Sequence, residues 1–162
     1  MDPSHVQEIP IIAGIITVST SRTEVTDESG TMIRGLFNSA DIPVLYYRVV
    51  PDSELEIRAT VKEAMNIANC IVVNGGTGLT PDDVTIEAVE PILEKKMDGF
   101  GELFRTLSYH EIGTRAVLSR AVGGVAGGKA VFCIPGSVNA VTLATKSIII
   151  PEIRHILTHA SA

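Results

Sequence analysis

The sequence predicts an α/β fold, a sandwich of helices around a mostly parallel central sheet. Short β-branched runs alternate with stretches of helical periodicity along the chain. The runs are nearly all apolar, as strands covered on both faces are. The 162 residues show no repeat, low-complexity tract or linker, and at 45% hydrophobic and 20% charged they read as one globular domain, residues 1–162 with a core over about 11–156.

Ile11–Val18 reads as the first buried strand. A polar turn, Ser19-Thr-Ser-Arg22, and an acidic loop lead into a helix over Ser29–Ala40, with Met32, Ile33, Leu36 and Phe37 on one side. Pro43–Val50 is the second strand. Ser53-Glu-Leu-Glu56 is a capping box, and the helix it opens carries Ile57, Val61, Ala64, Met65 and Ala68 on one stripe. Cys70–Asn74 is a third strand that runs into Gly75-Gly-Thr-Gly78. A helical segment begins near Thr85 and is kinked or shortened by Pro91. Phe100–Glu111 is a helix with a turn at Gly113. Gly123–Gly128 reads as a flexible stretch, Ala130–Ile134 as a strand, and Val138–His159 as a helical tail broken by Pro151.

Composition excludes several function classes. Thirteen basic against nineteen acidic residues give a net charge of −6, with no Lys/Arg run, so neither nucleic acid nor an anionic membrane is an expected partner. The apolar stretch Ile9–Ile16 is too short to span a bilayer and lacks a basic leader. Cys70 and Cys133 sit in apolar runs without CxxC spacing, as buried thiols of a reducing cytoplasm do. With 4% aromatics and no Trp, the core must be built from Val, Ile, Leu and Ala.

The most informative segment is Asn74-Gly-Gly-Thr-Gly-Leu-Thr-Pro-Asp-Asp-Val-Thr85. A buried strand ending in such a turn can expose successive N–H groups as an anion-binding nest. It lacks the third glycine of a dinucleotide fingerprint. Gly123–Ala130 imitates a P-loop but has Ala130 in place of the magnesium-binding hydroxyl and precedes a strand. Asp83 has two readings: a capping acid, if Thr80 starts the helix with Pro81 in its first turn, or a loop residue facing a ligand, if Thr85 does. Asp52 ends a strand, either as a solvated turn residue or as a carboxylate at the sheet's carboxyl edge. Two carboxylates beside a phosphate-sized nest suit nucleotidyl transfer, one holding Mg²⁺ and one orienting the nucleophile. Ser119-Arg120 and Pro135-Gly-Ser137 are weaker signals of the same kind. Of His5, His110, His155 and His159, the last two are four apart on a helix, a spacing that can bind metal, but no third ligand is evident.

Together these pieces resemble a known family. They are Thr17-Val-Ser-Thr-Ser-Arg22 with Asp27 and Ser29-Gly30; Val49-Val-Pro-Asp52; the glycine block through Thr85; Gly99-Phe-Gly-Glu-Leu-Phe-Arg105; Ile112-Gly-Thr with Leu118-Ser-Arg-Ala-Val-Gly-Gly124; and Ile134-Pro-Gly-Ser137. The set is similar to the MoaB/MogA family of molybdenum cofactor biosynthesis proteins. Ser108-Tyr-His-Glu-Ile-Gly113 looks more like the MoaB branch.

The resemblance implies a three-layer α/β/α sandwich assembling as a homotrimer or hexamer, in the cytoplasm, alongside other molybdenum cofactor biosynthesis proteins. It implies adenylylation of molybdopterin by ATP with Mg²⁺, releasing pyrophosphate; the alternative is a non-catalytic molybdopterin carrier or accessory protein. It places the catalytic, Mg²⁺-holding aspartates on Asp52 and Asp83. Molybdopterin and phosphate binding fall on Gly75, Gly76, Thr77, Gly78, Ser119, Pro135, Gly136 and Ser137. A nucleotide-side block falls on Asp27 and Ser29.

Overall fold

The computed structural model describes residues 8–162, so His5 lies outside the described residues. The elements run β1 (Ala13–Val18), α1 (Glu28–Ser39), β2 (Val44–Val50), α2 (Glu54–Met65), β3 (Cys70–Asn74), α3 (Thr85–Val89), β4 (Lys95–Lys96), α4 (Asp98–Ile112), β5 (Val122–Ala126), β6 (Lys129–Ile134), α5 (Val138–Ala144) and α6 (Ile150–Ala160). They form one six-stranded sheet in the order β2-β1-β3-β6-β5-β4. The first four neighbours are parallel, and β5 and β4 extend the sheet antiparallel.

The pleat sends alternate residues to two cores, which is why the central strands show no polar alternation. Ile15, Val72 and Phe132 face one layer, where Ile33 and Phe37 of α1, Phe104 of α4, Val141 of α5 and Ile153 and Leu157 of α6 meet them. Ile16, Ile71, Val73 and Val131 face the other, against Ile57, Val61 and Ala64 of α2 and Ile86 and Val89 of α3. The three layers expected from the sequence are therefore present. The Ser53 cap is also present: its hydroxyl accepts from the Glu56 amide at 3.3 Å. Met32, expected on the apolar side of α1, lies outside it and is exposed.

Two segments differ from expectation. Gly123–Gly128 is not a flexible stretch. Its first residues belong to β5, and Lys95–Lys96 supplies a short partner strand. The reason is packing: a Cβ on Gly123 would lie 3.0 Å from Phe100 and 3.1 Å from Phe132, whose ring centroids are 5.0 Å apart with the planes tilted by 53°. Glycine in this strand admits two aromatic rings, a pressure that composition does not reveal. Pro151 does not break the tail. It sits in the first turn of α6, and residues Thr145–Ile149 form a π turn just before it. A wider turn there accommodates a residue that cannot donate to the ladder and whose ring crowds the preceding turn.

Cys70 and Cys133 are both buried and unpaired. Burial pushes the Cys70 thiol up to about 12 and Cys133 higher still. Both should resist iodoacetamide in the native protein at mildly alkaline pH and react on denaturation. The unfolded chain loses these protons near 9.0 while the folded chain keeps them, so stability falls as pH rises beyond that value. Rapid alkylation of the native protein would contradict this burial.

Candidate functional site

The parallel strands deliver their loops to one edge. In the order β2-β1-β3-β6, Val50, Val18, Asn74 and Ile134 end side by side. Strand order, not strand direction, reverses between β1 and β3: the loop after β1 leads to α1 on one face, that after β3 to α3 on the other. Open α/β sheets form their ligand crevice at such a switch point. The cleft here has a volume of about 530 Å³ and is lined by Ser19, Ser21 and Arg22, by Gly75 through Gly78 with Asp83, by Leu118 and Ser119, and by Pro135 through Ser137.

The floor of the cleft is the glycine turn. Gly75 and Gly76 have φ of 94° and 67°, in the region that favours glycine. The loops touch backbone to backbone: a Cβ on Gly136 would lie 3.0 Å from the Cα of Gly75. The turn is anchored below, where Thr85 donates from its hydroxyl to the Gly75 carbonyl at 2.8 Å and from its amide to Gly76 at 3.0 Å. Among the described residues the amides of Gly76, Thr77, Gly78 and Leu79 have no acceptor. Successive unpaired N–H groups at an open turn are donors in need of an anion or water.

Two carboxylates flank this turn. Asp83 lies in the loop before α3, which settles its two readings in favour of the loop. Its Oδ2 accepts from the Thr80 amide at 3.0 Å and the Thr80 hydroxyl at 2.7 Å, and the same oxygen would lie 2.7 Å from a Cβ on Gly78. Asp52 stands at the other end, its Oδ1 3.3 Å from where a Cβ on Gly76 would be, and its Oδ2 accepts from the Thr20 hydroxyl at 2.8 Å. In both residues Oδ2 is tied down and Oδ1 has no donor among the described residues. Mg²⁺ commonly takes one or two carboxylates and completes its shell with water and phosphate oxygens. Asp52 and Asp83 each leave one carboxylate oxygen of the kind such an ion takes, so the residues present fit that habit. Among the described residues no group of three or more His, Cys, Asp or Glu gathers to hold a metal. That includes His155 and His159, whose Nε2 atoms stand 3.1 Å apart on α6.

Asp27 and Ser29 lie one layer behind the cleft. Asp27 is 1% exposed and caps α1, accepting from the Gly30 amide at 3.0 Å, the Thr17 hydroxyl at 2.6 Å and the Tyr47 hydroxyl at 2.5 Å. Burial together with this carboxylate pushes the Tyr47 phenol well up. Asn74 donates to Thr17 at 2.9 Å, which joins the network to the end of β3. Ser29 donates to the Gly136 carbonyl at 2.5 Å and so ties the first loop to the last. Asp27→Ala should cost about 3 kcal/mol, the scale of a lost cap plus hydrogen bonds to a buried charge. Chemical denaturation would measure it, and a loss below about 1 kcal/mol would overturn this account of the network.

Thus Gly75, Gly76, Thr77, Gly78, Ser119, Pro135, Gly136, Ser137 and Asp83 gather around one cleft, Asp52 borders its floor, and Asp27 and Ser29 brace it. Sequence reasoning gave no role to Arg22, 40% exposed, whose Nη1 is 3.2 Å from Ser29 Oγ and 4.0 Å from Asp27 Oδ1. Among the described residues that line the cleft it is the only basic one. Thr20, which orients Asp52, was also unassigned. Their place in the polar turn directly after the first strand was the available signal.

Fold and cleft together define an α/β domain with an open cleft of unpaired amides at the carboxyl edge of its sheet. Known proteins narrow this class. The family model described as "Probable molybdopterin binding domain" matches residues 14–155. "Molybdenum cofactor biosynthesis protein B" of Staphylococcus aureus (strain Mu50 / ATCC 700699) is 46% identical over 149 residues, 90% of this chain and 89% of that protein. A crystal structure of a molybdenum cofactor biosynthesis protein B superposes with a TM-score of 0.91 at 43% identity, over 96% of this chain and 98% of the other. The tungsten cofactor synthesizing protein MoaB from Pyrococcus furiosus gives a TM-score of 0.86 at 37% identity, over 96% of this chain and 100% of the other. The chain belongs to the MoaB/MogA family of molybdenum cofactor biosynthesis proteins.

Proposed function

We propose that the chain is a molybdopterin adenylyltransferase. A terminal phosphate oxygen of molybdopterin attacks the α-phosphorus of ATP; the new P–O bond forms as the bond to pyrophosphate breaks, giving adenylylated molybdopterin and pyrophosphate. One observation carries this reading. Two carboxylates, each anchored through Oδ2 with Oδ1 left without a donor, flank a turn whose successive amides have no acceptor.

The chemistry joins two anions, so alignment and positive potential are what the site must supply. Bound Mg²⁺ would neutralise phosphate charge and fix the triphosphate relative to the attacking oxygen. The amides of Gly76 to Leu79 would hold the molybdopterin phosphate, and Arg22 would approach the charge from the opposite wall. Thr20 and Thr80 keep the carboxylates from rotating away. Ser119, Pro135, Gly136 and Ser137 would line the pterin. A chain of net charge −6 can bind these anions because dipoles, one Arg and a metal act locally.

The same reading takes the protein to be a homo-oligomer, trimer or hexamer, working in the cytoplasm beside other cofactor biosynthesis proteins. Exposed apolar side chains on and after α4, among them Leu103, Tyr109, Val117 and Leu118, support self-association. Among the described residues no helix is long and apolar enough to cross a membrane.

The test is turnover. Purified protein with molybdopterin, ATP and Mg²⁺ should release pyrophosphate and the adenylylated pterin, and chelation of the metal should stop both. Tight molybdopterin binding without product would instead make the chain a carrier.

A further inference from the structure

Arg120 is the hub of the glycine turn, although it does not line the cleft. Its Nε donates to the carbonyls of Thr77 at 2.8 Å and Gly78 at 3.1 Å. Its Nη2 reaches the Asp83 carbonyl at 3.4 Å. Nη1 and Nη2 close on the Glu87 carboxylate at 2.7 and 3.1 Å. One guanidinium therefore joins the turn, the Asp83 loop and α3 to the segment that carries Ser119. Glu87 answers electrostatically: the Arg120 charge beside it holds its carboxyl below the usual range, and Glu87 raises Arg120 in turn.

The peptide plane gives this clamp a direction. In a trans peptide the C=O and the following N–H point opposite ways. A cation that gathers the Thr77 and Gly78 carbonyls on one side sends the Gly78 and Leu79 amides to the other. These are two of the amides that have no acceptor. Arg120 itself lines the neighbouring groove, of about 580 Å³, with Glu87, Glu90 and Arg105. Ser119 borders both spaces.

We propose that Arg120 is a positioning residue for the phosphate-bearing ligand. It holds the turn carbonyls from behind so that the amides face the cleft, and it fixes the Asp83 loop at the same time, without touching the ligand. This rests on the reading of the turn as the molybdopterin phosphate cradle. The fork geometry is essential. Three carbonyls and a bidentate carboxylate lie in directions that a planar guanidinium serves together and an ammonium cannot.

The experiment compares wild type, Arg120→Lys, Arg120→Ala and Glu87→Gln. It reads melting temperature, molybdopterin affinity by titration, and the KM for molybdopterin and for ATP. Arg120→Lys should stay folded, lose roughly tenfold in molybdopterin affinity and raise that KM in parallel, the scale of one charge-assisted hydrogen bond put out of place. Its KM for ATP should rise by less, since on the Asp83 side only the 3.4 Å contact to the backbone carbonyl is loosened. Glu87→Gln keeps the guanidinium but loosens the fork, and should show a smaller loss in the same direction. Guanidinium ion at non-denaturing concentration should restore part of the affinity of Arg120→Ala and leave wild type unchanged, which a general loss of fold would not allow. Wild-type affinity in Arg120→Lys overturns the proposal, as does affinity lost only together with the folded circular dichroism spectrum. Failure of wild type to bind molybdopterin overturns instead the reading of the cradle, and this proposal with it.

Discussion

Asp83→Asn is expected to lower turnover of molybdopterin and ATP by roughly 10²- to 10³-fold, the range for removing one preorganised charged group from a transfer site. Molybdopterin affinity should hold within a few-fold. The side chains have the same shape, so the loop need not move. The Asn carbonyl oxygen can still accept from Thr80, as Asp83 Oδ2 does now. That choice puts the NH₂ group where Oδ1 was. A donor then faces the place that needs an acceptor for a metal ion, and one negative charge is gone. Binding should survive because the turn amides, not the carboxylate, are assigned to the pterin phosphate. Pyrophosphate release under saturating substrates and a parallel molybdopterin titration measure the two halves separately. Asp52→Asn should behave alike, and the double variant should lose much less than the product of the single losses, since groups that act as a unit are not additive. Full activity in Asp83→Asn would sink the assignment of this carboxylate.

Asp83 also shows what the sequence could and could not settle. Thr80-Pro81 looks as much like a helix start as Thr85 does, and local preference cannot choose. The choice is made by the turn: Thr85 spends both its hydroxyl and its amide on Gly75 and Gly76, which seats the first helical residue against the end of β3. The loop before it is then free to carry Asp83 along the cleft. The central strands were legible because burial on both faces leaves an apolar run that needs no partner to be recognised, as in Ile71-Val72-Val73. The Ser53 cap was legible because its chemistry is local. β5 was not, since Gly123 answers to Phe100 and Phe132 and Gly124 to Leu93 and the Lys95 carbonyl, neighbours that sequence distance hides. Arg120 was visible only as a weak signal beside Ser119, and its role was hidden: a long side chain takes its meaning from carbonyls 42 and 43 residues away.

Gly75→Ala and Gly35→Ala make the same chemical change and should shift stability in opposite directions. Gly35 lies inside α1 with nothing within 4 Å of a Cβ, so alanine there should add about 1 kcal/mol through helix propensity and a less flexible unfolded chain. Gly75 has a φ of 94°, and its Cβ would drive into the backbone carbonyl oxygen of Val18. A backbone atom cannot rotate aside as a side chain can. Relief would require β1 and β3 to separate at the switch point, where the cleft is formed. We expect a loss of about 3 kcal/mol or more, summing the strain of a left-handed residue and the overpacking of a closed contact. Molybdopterin affinity should fall with it, because the amides downstream of Gly75 would turn with the displaced strand end. Urea denaturation of the two variants against wild type gives the stabilities, and titration gives the affinity. Should Gly75→Ala unfold at the wild-type urea concentration, the loops after β1 and β3 would not be in the contact described, and the glycines of the turn would owe their place to the ligand alone.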